Sequence, residues 1–390
     1  MNKISVVKNE KFAAITPKFV ELRNYDWIFY GEDNLFPNKL IDLANKSALN
    51  NAIIMSKIDN VCGKGFLTDD LDPKTLAFIE HPNPNESLEH LFRKIVYDYV
   101  IFGGFCLNII WSRDRKSIAE IYHVDFSKVR SGKANYNGKV YTYWYSKNWA
   151  QYRKKEFEPQ GIAAFDTETR EASQLLYVTQ YRPGVEYYPL PSYMGALGYI
   201  ETDTEISNFH LSHIKNGMTP GMMITFNNGI PTDDEQSMIE QKIRNRYEGT
   251  DNAGKFILNF ADDSTKAPTV TTLTPAQLDK QFIQLQDTVL QNILSGHQVV
   301  SPLLVGIPTP GSLSNASEML NAFQLYNSTV ITPLKEVVLG TLDKICEING
   351  LQKFEIATAA PIEFSFSENI MAQILSRNEL REKIGYEPIE

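Results

Sequence analysis

The chain has 390 residues, 43% of them hydrophobic, which is enough for a large buried core and more than one compact unit. Its 38 Lys and Arg stand against 47 Asp and Glu, a net charge of -9. That balance argues against a sequence-reading DNA binder, which needs a basic surface, but not against a protein that surrounds DNA without gripping it.

Cys62, Cys106 and Cys346 are scattered and odd in number, so they make no disulfide framework or metal spacing and suit a reducing compartment. The N-terminus lacks the apolar core and small-residue site of a signal peptide. The longest apolar stretch, Ile95 to Trp111, is interrupted by Asp98, Gly103, Gly104 and Asn108, so no membrane span is expected.

In chain order, Leu49 to Ile58 reads as an amphipathic helix closed by Gly63. His81 to Ser87 is a loop, and a second helix follows with Leu88, Leu91, Phe92, Ile95, Tyr99 and Phe102 at helical spacing, stopped by Gly103-Gly104. Strands are predicted over Phe105 to Trp111, Ile118 to Val124, Ile162 to Phe165 and Leu175 to Tyr181. Asn137-Gly138 sits at the turn of a hairpin. The first two hundred residues are therefore α+β with mostly antiparallel pairing.

Tyr187 to Pro191 reads as a turn-forming break, and Gly195 to Gly217 as a helix. A small region, Thr219 to Thr272, holds a strand at Met222 to Phe226, a turn at Asn228-Gly229, a helix at Asp233 to Tyr247 and a strand at Lys255 to Phe260. Thr274-Pro275 opens another helix, with Leu278, Phe282, Leu285, Val289 and Ile293 on its apolar face and Gln277, Gln281, Gln284, Gln291 and Asn292 opposite. Ser301 to Ser314 is a Pro/Gly-rich loop. Asn315 and Glu318 match a capping box that begins a helix to about Ile348, roughly 50 Å if unbroken. Thr332-Pro333 should kink it. Strands near Phe354 to Ile356 and Pro361 to Phe366, then a short helix at Ser367 to Ile374, complete the pattern.

Catalytic signatures are missing: the sequence has no GxxxxGK[ST], GxSxG or HExxH. Cys62 to Gly65 follows a helix, not a strand, and reads as a helix cap instead of a phosphate cradle. His210 and His213 share a helical face but lack a third ligand nearby, which favours exposed or interface histidines over a metal site. Asp233-Asp234 suit a helix N-terminus, and the adjacent Asp262-Asp263 point apart on a strand. Tyr141 to Tyr145 has few positive charges for stacking bases and fits a half-buried hairpin better. No catalytic residue, metal site or cofactor is expected.

The order of elements in the second half resembles the portal protein family of tailed double-stranded-DNA bacteriophages, of the shorter lambdoid-like type. The proline-bounded helix from Gly195 is followed by Pro220 to Ile224, an acidic-start helix and the run Asn252 to Phe260. The next helix carries Asp279 and Phe282, and Val299 to Gly306 is similar to the family's proline-leucine-glycine stretch. The long helix has Pro333 at the family's kink, and the ending carries Asn378, Glu379, Arg381, Gly385 and Pro388. The likeness covers about residues 185 to 390. The first 180 agree in general character, and Tyr193-Met194-Gly195 departs from the family's usual Gly-x-Ser-Pro.

The resemblance implies an α+β portal fold. Its parts would be a wing of mixed α/β character over 1–194, a stem helix over 195–217, a small α/β clip over 218–272 and a second stem helix over 273–297. A channel loop over 298–313, a long kinked wing helix over 314–349 and a crown segment over 350–390 follow. Such a chain would form a ring of itself, a dodecamer, at the capsid vertex of the virion, assembled in the host cytoplasm. It would pass double-stranded DNA without sequence preference in packaging and ejection. Its other partners would be the major capsid protein, the large terminase subunit and a head–tail adaptor, and no membrane.

Val305, Gly306, Ile307, Pro308, Thr309, Pro310 and Gly311 would project into the channel. Lys215, Gln277, Gln281 and Gln284 would face it from the stem, unless that amide face meets water or a neighbouring subunit. Lys242, Arg244, Arg246 and Tyr247 would serve the clip's contacts, and Thr332 and Pro333 the kink. Twelve copies at -9 each carry roughly -108 of charge, which repels DNA from most of the conduit wall. Two other classes stay open on the sequence alone: a different head–tail structural protein, and a metal-dependent nucleic-acid enzyme.

Overall fold

The computed structural model describes residues 17–215, 222–226, 256–260, 269–272, 278–307 and 316–359, with Thr232, Glu235 and Met238 as single positions. A short antiparallel pair, β1 (Phe19–Glu21) and β2 (Ile28–Tyr30), leads into helices α1 (Phe36–Lys46), α2 (Ala48–Cys62), α3 (Pro73–Glu80) and α4 (Leu88–Phe102). Ser47, Asp72 and Ser87 cap α2, α3 and α4 by accepting from backbone N–H groups of the first turn. The apolar face expected of α4 is buried in full, from Leu88 to Phe102, and Gly103 ends it at φ 79°.

Strands β3 (Gly104–Trp111), β4 (Ile118–Val124) and β8 (Ser173–Thr179) form an antiparallel sheet in the order β4-β3-β8. A second antiparallel sheet holds β5 (Val129–Ser131), β6 (Thr142–Tyr145) and β7 (Gln160–Ala163) in chain order. Asn137-Gly138 lies at the tip between β5 and β6, with Gly138 at φ 75°, as the sequence predicts. The two sheets meet where Tyr143 stacks on Tyr177, ring centroids 4.5 Å apart. The half-buried hairpin reading of Tyr141 to Tyr145 is therefore correct.

The stretch Tyr187 to Pro191 does more than turn the chain. Tyr188 is buried and stacks on Tyr30 at 4.1 Å, its hydroxyl donates to Ile28 O at 2.5 Å, and the Tyr30 hydroxyl donates to Pro189 O. Arg130 is fully buried beneath this strap. It donates to Asn34 Oδ1, Asn34 O, Ser127 O and Val129 O and lies over the Trp149 ring. A buried guanidinium is tolerated because nearly every donor finds an oxygen.

Two helices then pair antiparallel: α5 (Leu197–Lys215), preceded by a 3₁₀ turn at Met194–Ala196, and α6 (Leu278–Gly296). Between them the described strands β9 (Met222–Phe226), β10 (Phe256–Phe260) and β11 (Thr269–Thr272) form one sheet, with β9 central, β10 parallel to it and β11 antiparallel. The turn and helix predicted at 228–247 lie outside the described residues, apart from the single positions named above. A 3₁₀ turn at Pro302–Val305 opens the predicted loop.

The long helix is α7 (Ala316–Tyr326), a π-helical stretch at Asn327–Ile331 and α8 (Thr332–Asn349). Pro333 has no N–H to give Thr329 O, and the register slips there: Thr332 N–H bonds Asn327 O, five residues back. The helix expected to kink at Thr332-Pro333 carries a π segment just before the proline.

After Gly350 the chain returns beside Gly63 to Leu67. Lys64 N–H bonds Ala357 O, Ala357 N–H bonds Gly65 O, and Leu67 N–H bonds Glu355 O. The strand predicted near Phe354 is a single bridge, Phe66 to Ile356. Among the described residues no helix is long and apolar enough to cross a membrane, and the three cysteines are free.

Gly63 explains why the Cys62-to-Gly65 run is glycine-rich. It caps α2 at φ 56°, and a Cβ there would drive into the carbonyl oxygen of Ala357. Gly63→Ala should therefore cost about 2 kcal/mol or more in a denaturant titration, through both strain and overlap. A change under about 0.5 kcal/mol would show that the return strand yields freely.

Candidate functional site

The predicted channel loop is rooted where α6 ends, and several unusual features meet at this joint. Helix α6 closes with Gln298 N–H on Ser295 O and Val299 N–H on Leu294 O, a Schellman end. The residue forced to positive φ there is Gln298, at 60°, not a glycine. Gly296, just before, is required by packing: a Cβ would overlap that of Ala196 at the start of α5.

His297 is fully buried in this turn. Its ring stacks on Tyr193 at 4.3 Å, and Nε2 lies 2.8 Å from Asn50 Oδ1. An Nε2–H donor to Asn50 leaves Nδ1 as a buried lone pair, and Nδ1 has no partner. Burial holds the imidazole well below the ordinary histidine value, with the Lys57 charge pushing the same way. Asn50 is buried too, and its Nδ2 donates to Leu43 O at 3.3 Å.

Lys57 lies two turns along α2 from Asn50 and is 2% exposed, with no hydrogen bond or ion pair to its ammonium among the described residues. Burial pushes it down to about 7. Ser56 donates to Leu304 O at 3.1 Å and so pins the 3₁₀ turn to α2. Beside the π segment, Tyr326 is buried with its hydroxyl unpartnered. Orphaned polar atoms each cost of order 1–3 kcal/mol, so this joint concentrates unfavourable terms.

The residues singled out from sequence divide as follows. Val305 is half-buried and packs on the core, Gly306 is exposed at φ 77° and Ile307 is half-buried. Pro308, Thr309, Pro310 and Gly311 lie outside the described residues, as do Lys242, Arg244, Arg246, Tyr247, Gln277 and the acid pairs 233–234 and 262–263. Lys215 ends α5, Gln281 lies in α6, and the Gln284 side chain is exposed. His210 lies 3.4 Å from Gln286 across the helix pair, while the His213 side chain is outside the described set. No cluster of three metal-ligating side chains occurs among the described residues.

The pair α5/α6 is anchored at its base, and its described residues further out are exposed. Ser47 donates to Asp203 at 2.6 Å, Lys39 pairs with Glu201 at 2.5 Å, and Ile200, Ile206, Val289 and Ile293 are buried. Beyond Ile206 and Val289 every described residue of 207–212 and 283–288 is exposed. Phe209, Leu211, Ile283 and Leu285 are 44%, 51%, 58% and 40% exposed.

Sequence reading missed Asn50, Lys57 and His297. The available signal was position: Lys57 falls between Ile53 and Val61 at steps of four, on the face of α2 that is buried. Because folding lowers the Lys57 pKa, the folded state binds fewer protons than the unfolded one between about 7 and 10.5. The penalty is present in full below that window and fades as pH rises through it. Lys57→Met should raise stability by roughly 2–4 kcal/mol near pH 6 and by far less near pH 10, followed by denaturant unfolding. An equal effect at both pH values would contradict this account of the buried amine.

The family model described as phage portal protein matches residues 68–385, from α3 through the end of the long helix and beyond. The match reaches well into the N-terminal half, where the sequence alone offered general character only. A probable portal protein of Haemophilus phage HP1 is 20% identical over 185 residues, 47% of this chain and 53% of that one, so the chain matches about half of that relative's length. An uncharacterized protein of Rickettsia bellii is 24% identical over 310 residues, covering 79% of this chain and 72% of that one. The fold is similar to that of a chain in the neck of an empty gene transfer agent particle computed with C6 symmetry (TM-score 0.56, 14% identity, 90% of this chain and 94% of that one). It is also similar to one in the native neck computed with C12 symmetry (TM-score 0.53, 14% identity, 90% and 95%). The chain belongs to the phage portal protein family, whose members are structural subunits and not enzymes.

Proposed function

We propose that this chain closes with copies of itself into a twelve-membered ring at one vertex of a phage capsid, forming the channel for DNA during packaging and ejection. The observation that carries the reading is the exposed apolar side chains on the described outer part of the α5/α6 pair. A two-helix arm has no interior, and isolated helices are marginal in water. Leu211, Ile283 and Leu285 come from both helices, so arms set side by side in a ring would bury them against one another. The native gene transfer agent neck, computed with C12 symmetry, supports twelve as the copy number.

In this reading the loop from Val305 to Gly311 projects into the channel from the joint after α6, and Lys215, Gln277, Gln281 and Gln284 face the bore. The clip, 218–272, meets the large terminase subunit during packaging and the head–tail adaptor afterwards, with Lys242, Arg244, Arg246 and Tyr247 among its contacts. The wing meets the major capsid protein, and assembly takes place in the host cytoplasm. The net charge of -9 suits a conduit, since a wall of like sign lets DNA slide without strong contacts.

Negative-stain imaging and mass photometry of the purified chain should give closed rings of about twelve subunits with a central hole. Leu211→Glu with Leu285→Glu should leave monomers whose unfolding midpoint stays within a few degrees of wild type, because both residues are exposed in the single chain. A wild-type chain that stays monomeric at every concentration tested would contradict the reading.

A further inference from the structure

A cleft of about 760 Å³ opens between α1, α4 and the end of β4. Ile41, Ala44, Tyr97, Ile101 and Phe102 supply its apolar lining, and Asp98 and His123 lie among its polar and charged lining residues. Asp98 is 8% exposed, and its two hydrogen bonds, from His123 Nε2 at 2.7 Å and Phe126 N–H at 2.9 Å, both fall on Oδ2. Oδ1 accepts nothing among the described residues. An apolar slot with an open acceptor in its lining is the complement of a phenol, a flat ring with a donor at its tip.

The chain carries such a group on a stiff mount. Tyr136 is 95% exposed at the tip of the β5–β6 hairpin. Asn135 Oδ1 accepts from Asn137 N–H and Lys139 N–H at 3.0 and 2.9 Å, and Lys139 is tied to Asp166 at 2.8 Å. The tip is therefore rigid, and its ring lies in solvent in the single chain.

The two features lie toward opposite edges of one sheet. The cleft borders β4 through His123, whereas the hairpin's own sheet packs on β8 through Tyr143 and Tyr177. A closed ring uses a heterologous contact, in which one side of each subunit meets the opposite side of the next. Charge agrees as well. Residues 131–140 carry no acid, and beside the Asp166-paired Lys139 they hold Lys133. In the cleft Arg93, Lys94 and Asp125 are paired to Asp59, Glu86 and Lys128, which leaves the Asp98 carboxyl beside His123.

We propose that the cleft receives the hairpin tip of a second copy of this chain, with Tyr136 seated between Ile41 and Phe102 and its hydroxyl donating to Asp98 Oδ1. The contact rests on the ring reading above and would make the wing, not only the helical arm, a self-association surface.

The test is a cysteine pair, Ile41→Cys with Tyr136→Cys, in a Cys62→Ser background; Cys106 and Cys346 are buried. Mild oxidation of assembled protein should give a ladder of linked subunits reversed by reductant, absent from either single-cysteine chain. Tyr136→Phe keeps the ring but loses the donor and should raise the dissociation midpoint of the assembly roughly fivefold to tenfold. Rings that form normally yet give no ladder, with Tyr136→Ala rings as stable as wild type, would overturn this contact, leave the ring reading intact and assign the cleft to some other occupant. Absence of rings in the wild type would overturn both. Tyr136 touches no core residue, so loss of folding is not a competing outcome.

Discussion

Two antiparallel helices standing away from a globular body have no inside, and most of this structure is organised around that constraint. The pair α5/α6 is held firmly at one end, where Gly296 lets the helices approach at Ala196 and where Ser47 and Lys39 engage Asp203 and Glu201. Past Ile206 and Val289 every described residue of 207–212 and 283–288 is exposed. Exposed apolar side chains on two paired helices are the kind of surface that association with a second copy would bury. The body supplies a rigid platform of α2, α4 and the β4-β3-β8 sheet, and the arm projects from it toward whatever completes its core.

At the foot of the arm several unfavourable terms stand close together. Gln298 occupies a backbone region that suits glycine, and a π segment replaces regular helix; among the described residues His297 and Tyr326 each bury an unpaired polar atom and Lys57 is buried without a counterion. Native cores satisfy nearly all such groups, and clusters of exceptions concentrate where a structure is shaped for position more than for stability. Here they surround the turn pinned by Ser56, from which the Pro/Gly-rich loop departs. The body can carry these terms because its own large core is well packed and the fully buried Arg130 is almost completely bonded.

Local signals made much of the fold legible in advance. The ends of α4 followed from Ser87 and Gly103, β3 and β4 from their apolar runs, and the β5–β6 turn from Asn137-Gly138, because each depends on neighbours in sequence. What stayed hidden depends on partners far along the chain. Tyr188 reads as part of a break until Tyr30 stacks on it, and Pro302 to Val305 reads as loop until Ser56 fixes it from α2. Lys57 shares the Ile53–Val61 face of α2, but its burial depends on the elements that pack around that helix. The proline effect at Thr332-Pro333 was foreseeable, whereas its resolution as a π segment depends on how the two halves of the long helix pack. Most of the residues expected to touch DNA or clip partners fall outside the described set, so the joint and the arm carry the functional argument.

The central claim is that the arm becomes ordered by its neighbours. Hydrogen–deuterium exchange, compared between assembled protein and a dissociated form, measures this directly. The account predicts that amides of residues 200–212 and 283–292 slow strongly on assembly, while those of α2, α4 and β3 are protected in both states. Equal protection of the arm in both forms, or rapid exchange throughout it in assembled protein, would contradict the account.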